Sequence, residues 1–285
     1  MKGLQTILLG IALSISITVN AQLTVTPSNN ATALAEELVG SGVVIANAQL
    51  FSDPSAQGFF DGTNANIGID SGIVLTTGRA NDAEGPNSSA GISWDNNQPG
   101  DPLLDALAGQ ATQDRCELRF DVTPFSDTMV FRYVFASDEY PEYVCANFND
   151  VFGFFVSGTN PAGGTYNDFN VAQIPGTTLP VAINTVNPGV PGANGNAANC
   201  QSLAYSQYYN ANHTIGAGSI EYDGFTRVFT AVIPVVKCET YTLRLMIGDA
   251  GDGNWDSGVF LESGSLSAFG ASVEASTNVG LSYTN

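Results

Sequence analysis

Three aspartates and an asparagine crowd one glycine-punctuated stretch of this chain: Asp249, Asp252, Asn254 and Asp256, with no basic residue between positions 247 and 262. Asp252, Asn254 and Asp256 stand at alternate positions, as the first three ligands of a calcium loop do, because a hard cation needs several oxygens converging from a tight turn. The match to an EF-hand is partial. That loop would have glycine where Ser257 stands and a glutamate one place beyond Glu262, and a strand rather than a helix is expected to follow here. An acidic hairpin with Asx turns is the competing structural reading; calcium is the preferred one. A second acidic group, Asp138, Glu139 and Glu142 followed by Asp150, falls on loops at strand ends and is expected to converge with the first. The expected metal set is therefore Asp249, Asp252, Asn254, Asp256, Asp138, Glu139 and Asp150, with calcium as the cofactor.

The same carboxylates could instead work as general acid and base on a glycosidic bond, which would require burial to raise one pKa. Other enzyme signatures are poor. The only histidine is His213, there is no G-x-S-x-G elbow, and no phosphate-cradling glycine motif occurs. No catalytic residue is assigned, and the chain is expected not to be an enzyme. Loop aromatics are abundant, and Tyr140, Tyr143 and Trp255, beside the two acidic groups, are the expected ligand-binding residues, suited to stacking on a sugar or anchoring a protein contact.

Charge narrows the partners. With 27 acidic against 8 basic residues the net charge is −19, which repels phosphate backbones and anionic lipid and favours divalent counter-ions. Charged residues make up only 12% of the chain, so this is not an acidic disordered tail. Residues 1–21 read as a secretory signal peptide: Lys2, an apolar run over 4–19, and Val19-Asn20-Ala21 before Gln22. That run is short of the roughly 20 residues a spanning helix needs, so no membrane insertion is expected after cleavage. Export makes disulfides reasonable, and Cys116, Cys145, Cys200 and Cys238, with no CxxC pair, point to two of them. Four cysteines allow three pairings; Cys145 with Cys200 is preferred, leaving Cys116 and Cys238.

The elements that must position these residues read mostly as strands. Positions 116–122 and 241–247 alternate strictly, placing Cys116, Leu118, Phe120 and Val122, and Tyr241, Leu243, Leu245 and Ile247, on buried faces. Further strands are expected at 72–76, 129–136, 151–156, 181–186, 225–236 and 258–261, separated by Gly, Asn, Asp and Pro turns. Two short helices are expected. One runs over 29–38 with an Asn cap and Gly40 as stop; the other covers 101–107 with Asp101 as cap, Pro102 at the first position and Gly109 behind. The fold class is all-β: a two-sheet antiparallel sandwich of jelly-roll type, one domain over 22–285, with the tail from about 270 read as the start of a linker. A surface loop over 188–199 is expected to be pinned by Cys200.

The run Phe135-Ala136-Ser137-Asp138-Glu139-Tyr140-Pro141-Glu142-Tyr143-Val144, followed by Phe148-Asn149-Asp150-Val151-Phe152-Gly153-Phe154-Phe155-Val156, resembles the signature of the bacterial choice-of-anchor L domain. So do residues 71–78, 183–187, 222–226 and 249–262, in order over nearly the whole mature chain. The resemblance implies a secreted or cell-surface β domain, frequent in large proteins of the Bacteroidetes and joined to several kinds of C-terminal anchor. It supplies an adhesion-like expectation and no catalytic residues. After Leu266 the chain runs to Asn285 with no recognisable anchor, as expected of a freely secreted form or of a truncated one.

The expected function is thus a secreted or surface binding and adhesion module with calcium- and disulfide-ordered loops, meeting an extracellular glycan or surface protein and no nucleic acid. A secreted glycan-active hydrolase or lyase and a purely structural spacer are the alternatives.

Overall fold

A computed structural model describes residues 22–269; the expected signal peptide and the segment beyond 269 lie outside them. Fifteen strands form two antiparallel sheets. The first comprises β1 (Thr24–Pro27), β3 (Gln57–Asp61), β4 (Ser71–Thr76), β6 (Thr128–Ser137), β10 (Tyr209–Ala211), β11 (Gly224–Thr226), β12 (Phe229–Pro234), β14 (Ser257–Glu262) and β15 (Ser267–Phe269). Its order is β1-β3-β4-β14-β6-β11-β10, and β6 is long enough to pair also with β12 and β15. The second comprises β2 (Val43–Phe51), β5 (Thr112–Pro124), β7 (Val151–Thr159), β8 (Thr165–Asn170), β9 (Val181–Ala182) and β13 (Tyr241–Ala250), ordered β2-β5-β13-β7-β8 with β9 on β7. The two-sheet antiparallel sandwich is as the sequence pattern indicates.

Helix α1 (Ala31–Leu38) begins where Asn30 accepts the Ala33 amide at 3.1 Å. Helix α2 (Pro102–Ala108) begins where Asp101 accepts the Leu103 amide at 2.9 Å, and it ends at Gly109, whose φ of 79° only glycine adopts without strain. Both caps are those read from the sequence.

The alternating stripes meet between the sheets. Leu118, Phe120 and Val122 of β5, Leu243 and Leu245 of β13, Phe152 and Phe154 of β7, and Phe131 and Tyr133 of β6 form the main core. Phe131 meets Phe154 edge to face at 5.1 Å, a pair worth about 0.5–1.5 kcal/mol beyond its burial. β6 is covered on its other face as well, where Val134 and Ala136 join Phe60, Val74 and Phe260 beneath Leu23, Ile67 and Tyr222. This explains why β6 reads as a nearly continuous apolar run. On the outer face of the second sheet, α2 packs Leu104 against Val151, Phe155 and Met246. Beside it the buried Glu117 is held by Arg119 at 2.8 Å and Arg244 at 2.8 Å.

Three expectations are corrected. The strand expected over 181–186 stops at Ala182, because the Thr185 hydroxyl accepts the Ala182 amide and turns the chain. The strand expected over 225–236 is two, β11 and β12, split where the Arg227 amide donates to the Tyr208 carbonyl. The second disulfide is absent: Cys145 and Cys200 are joined, while Cys116 is buried and free and Cys238 exposed and free. The Cys238 amide bonds the Pro124 carbonyl, eight positions along β5 from Cys116. At about 3.3 Å per residue that is roughly 26 Å, far beyond the reach of a disulfide. Among the described residues no helix is long and apolar enough to cross a membrane.

Candidate functional site

The site arises where the inward-facing stripes run out of apolar residues. On β13 the buried stripe Tyr241, Leu243, Leu245, Ile247 continues in phase to Asp249, and on β7 the stripe of Phe152, Phe154 and Val156 begins in phase with Asp150. β14 contributes Ser257 in phase with Val259 and Leu261, and β4 leads to Thr77 in phase with Ile73 and Leu75. One end of the core is therefore closed by polar side chains, and Asp249 and Asp150 are each only 1% exposed.

Their situations differ. Asp150 accepts the Ala250 amide at 2.9 Å and the Ser257 hydroxyl at 2.7 Å. Neither carboxylate oxygen of Asp249 has a hydrogen-bond partner among the described residues. Burial, reinforced by the neighbouring Asp150 and Asp256 and opposed by the Thr77 side chain, drives the Asp249 pKa well above the carboxylate range. Asp150 is raised for the same leading reason, against the pull of Ser257, the Ala250 amide and the adjoining Asp249 carboxyl.

Asp138 and Asp256 act as braces. The Asp138 oxygens accept the amides of Ile92, at 3.2 Å, and Asp223, at 3.1 Å. Both oxygens of Asp256 face the Trp94 amide at 3.1 Å, and its own amide donates to the Ile92 carbonyl at 2.9 Å. Together they tie the loop carrying Ile92 and Trp94 onto the strand ends. A β-carbon at Gly78 would lie 1.7 Å from an Asp256 oxygen, so only glycine admits this carboxylate. Burial pushes the Asp256 pKa up to about 8, opposed by the Trp94 amide and assisted by Asp82, Asp150 and Asp114.

Outward of this floor lies a cleft of about 220 Å³ lined by Ser93, Glu139, Tyr143, Phe148, Asp252, Asn254 and Trp255. The Tyr143 ring meets Trp255 at 4.5 Å and 88°, and Phe148 at 5.2 Å and 85°. Trp255 holds a left-handed backbone, φ 63°, a conformation that costs a bulky residue about 1–2 kcal/mol. Across from it, a β-carbon at Gly91 would stand 2.8 Å from the indole, so the glycine backbone packs directly on the ring. Glu139 is 3% exposed with Oε2 unpartnered among the described residues. Burial, then the charges of Asp150, Asp252 and Asp138, raise its pKa far above the usual range.

The expected metal set is thus gathered at one end of the sandwich but split into three tiers. Asp249 and Asp150 form the floor, Glu139, Asp252 and Asn254 line the cleft, and Asp138 and Asp256 are occupied by backbone amides. The alternate spacing of Asp252, Asn254 and Asp256 does not bring them onto one point, since Asp256 turns in to the Trp94 amide while the other two line the cleft. Among the described residues, no three Asp, Glu, His or Cys side chains converge as a ready-made cation site.

Of the expected ligand-binding aromatics, Tyr143 and Trp255 line the cleft and Tyr140 does not. Tyr140 is fully buried, packs on Tyr209 at 4.9 Å and donates its hydroxyl to the Val186 carbonyl. It is a core residue, a correction to the sequence expectation. Cys145 and Cys200 lie behind this end, where the Cys145 amide donates to Asn184 Oδ1 at 2.6 Å. Residues not singled out from sequence include Phe148, Ser93, Thr77 and Asp114. The last is 2% exposed, with Oδ2 unpartnered among the described residues. Extending the alternation of β13 two residues past Ile247 was the signal that marks Asp249 as buried.

A family model described as the choice-of-anchor L domain matches residues 20–267 of the chain. No curated protein and no solved structure matches it significantly.

Proposed function

Since the chain belongs to the choice-of-anchor L domain family, a family of surface or secreted modules, we propose that it is an extracellular binding module, adhesive in kind, whose acidic end is ordered by calcium. A single observation carries the cation: Asp249 is buried next to Asp150, and among the described residues neither of its carboxylate oxygens has a hydrogen-bond partner and no basic side chain pairs with either residue. Two buried carboxylates cannot both ionise without compensation, so the pair must hold protons or a cation. Calcium takes six to eight oxygens, and extracellular modules bind it with Kd on the order of 0.1–1 mM. Asp249 and Asp150 would hold the ion, with Glu139, Asp252 and Asn254 above them as the residues drawn toward it. The bound charge removes their mutual repulsion and stiffens the walls of the cleft, where a glycan or surface protein docks.

The test is a thermal melt in calcium and in chelator. A melting temperature higher in calcium supports the reading, and equal temperatures overturn it.

A further inference from the structure

We infer that the cleft formed by Tyr143, Phe148 and Trp255 is a receptor for an organic cation, an alkylammonium group, with Asp252 supplying its counter-charge. The inference rests on reading this end as a binding face, but not on its calcium.

Shape is the first argument. Two rings stand perpendicular to the Tyr143 ring, Trp255 at 88° and Phe148 at 85°, so the aromatics build a corner. A sugar stacks on a flat, open ring face; a rounded onium group takes contacts from several walls at once. The volume, about 220 Å³, admits a group of that size with room for part of its chain.

Charge is the second. Among the described residues no Lys or Arg lines the cleft, while the acidic Asp252 and the almost wholly buried Glu139 do. The net charge of −19 adds a long-range field that draws cations. The two tryptophans make an internal comparison. Arg79 lies 4.1 Å over the Trp94 ring, whereas Trp255 has no cation over it among the described residues. The ring that lacks an internal cation is the one that walls the acidic cleft. A phospholipid head group carries the same ammonium beside a phosphate, which the acidic rim would repel, so a free alkylammonium or a lysine-type side chain fits better.

The experiment uses the chain carrying Trp94→Phe, which leaves Trp255 as sole tryptophan reporter, in chelator and again in calcium. Fluorescence is titrated with choline, with its neutral carbon isostere 3,3-dimethylbutanol, with phosphocholine and with a methyl glucoside. The expected result is a saturable response to choline at least about tenfold tighter than to the isostere or to phosphocholine, and none to the glucoside. On the rim, Asp252→Asn should weaken choline about tenfold in calorimetry, and in chelator, where no calcium ligand is lost, it should leave the melting temperature unchanged. Equal affinity for choline and its isostere, or no saturable choline response, overturns the inference. A glucoside response in its place overturns it while leaving the face a binding site; silence toward every probe together with no calcium-dependent melting shift overturns both readings.

Discussion

Replacing Asp249 by asparagine should stabilise the protein in chelator and abolish its response to calcium, a change of sign that few core substitutions produce. In the wild-type chain the Asp249 carboxyl is 1% exposed with neither oxygen in a hydrogen bond among the described residues, and burial has raised its pKa. Each buried polar atom without a partner costs about 1–3 kcal/mol. An asparagine amide is nearly isosteric, carries no charge and can donate to the Asp150 carboxylate, so the variant recovers about 1–3 kcal/mol when no cation is present. For a domain of this size each kcal/mol moves the melting temperature by roughly 2–4 °C, so the variant should melt roughly 2–12 °C higher in chelator. In calcium at about 100 times Kd the wild type gains about 2.7 kcal/mol and the variant almost none, so the difference closes or reverses. Differential scanning calorimetry at neutral pH, with calcium and with chelator, reads both effects. A variant less stable than wild type in chelator, with an undiminished calcium shift, would refute the assignment of the ion to Asp249.

Metal-free protein should lose stability as pH rises from about 4 toward 8. The Asp256 carboxyl, raised from 3.8 to about 8 by burial, binds a proton in the native state that the unfolded chain has released. Native binding of more protons makes stability fall with pH across that window, by up to about 1.4 kcal/mol per unit for this group, and melts at pH 5 and 7.5 in chelator check the sign. Changing both Cys145 and Cys200 to serine opens a loop with a sequence separation of 55 and should cost about 4 kcal/mol, read as a lower denaturation midpoint. Trp255→Gly relieves the left-handed backbone at φ 63°, about 1–2 kcal/mol, but removes a ring packed on Tyr143 and Gly91, a loss of about 3–5 kcal/mol for a buried tryptophan, so the melting temperature should fall and calorimetry should find choline binding lost.

Much of the frame is legible in the residues. The strict alternation of β5 and β13 marks their inward faces, and Asn30 and Asp101 mark both helix caps, because these signals depend only on neighbours in sequence. β2 was not legible: its bulge beside Asn47, at φ 56°, interrupts the alternation, and few of its side chains are buried. The convergence of the two acidic segments was also readable, since strand-end loops of a sandwich gather at its ends. The division of labour among the carboxylates was not. Asp138 and Asp256 are braces only because the amides of Ile92, Trp94 and Asp223 arrive from distant loops, and sequence carries no trace of those contacts. Tyr140 and Tyr143 sit three residues apart in one acidic motif, yet one fills the core beside Tyr209 and the other walls the cleft. Cysteine count likewise points to two bridges, and only the placement of Cys116 within β5 and of Cys238 in the turn against Pro124, at the far end of that strand, excludes the second.

The central claim is that the bare Asp249 carboxylate and its neighbour Asp150 await a divalent cation. A crystal structure of the chain grown in millimolar calcium tests it most directly. One ion should be bound by Asp249 and Asp150 oxygens at about 2.3–2.6 Å, with Glu139 or Asp252 drawn toward it. An ion-free floor at the same calcium concentration, with Asp249 and Asp150 sharing a proton, would contradict it.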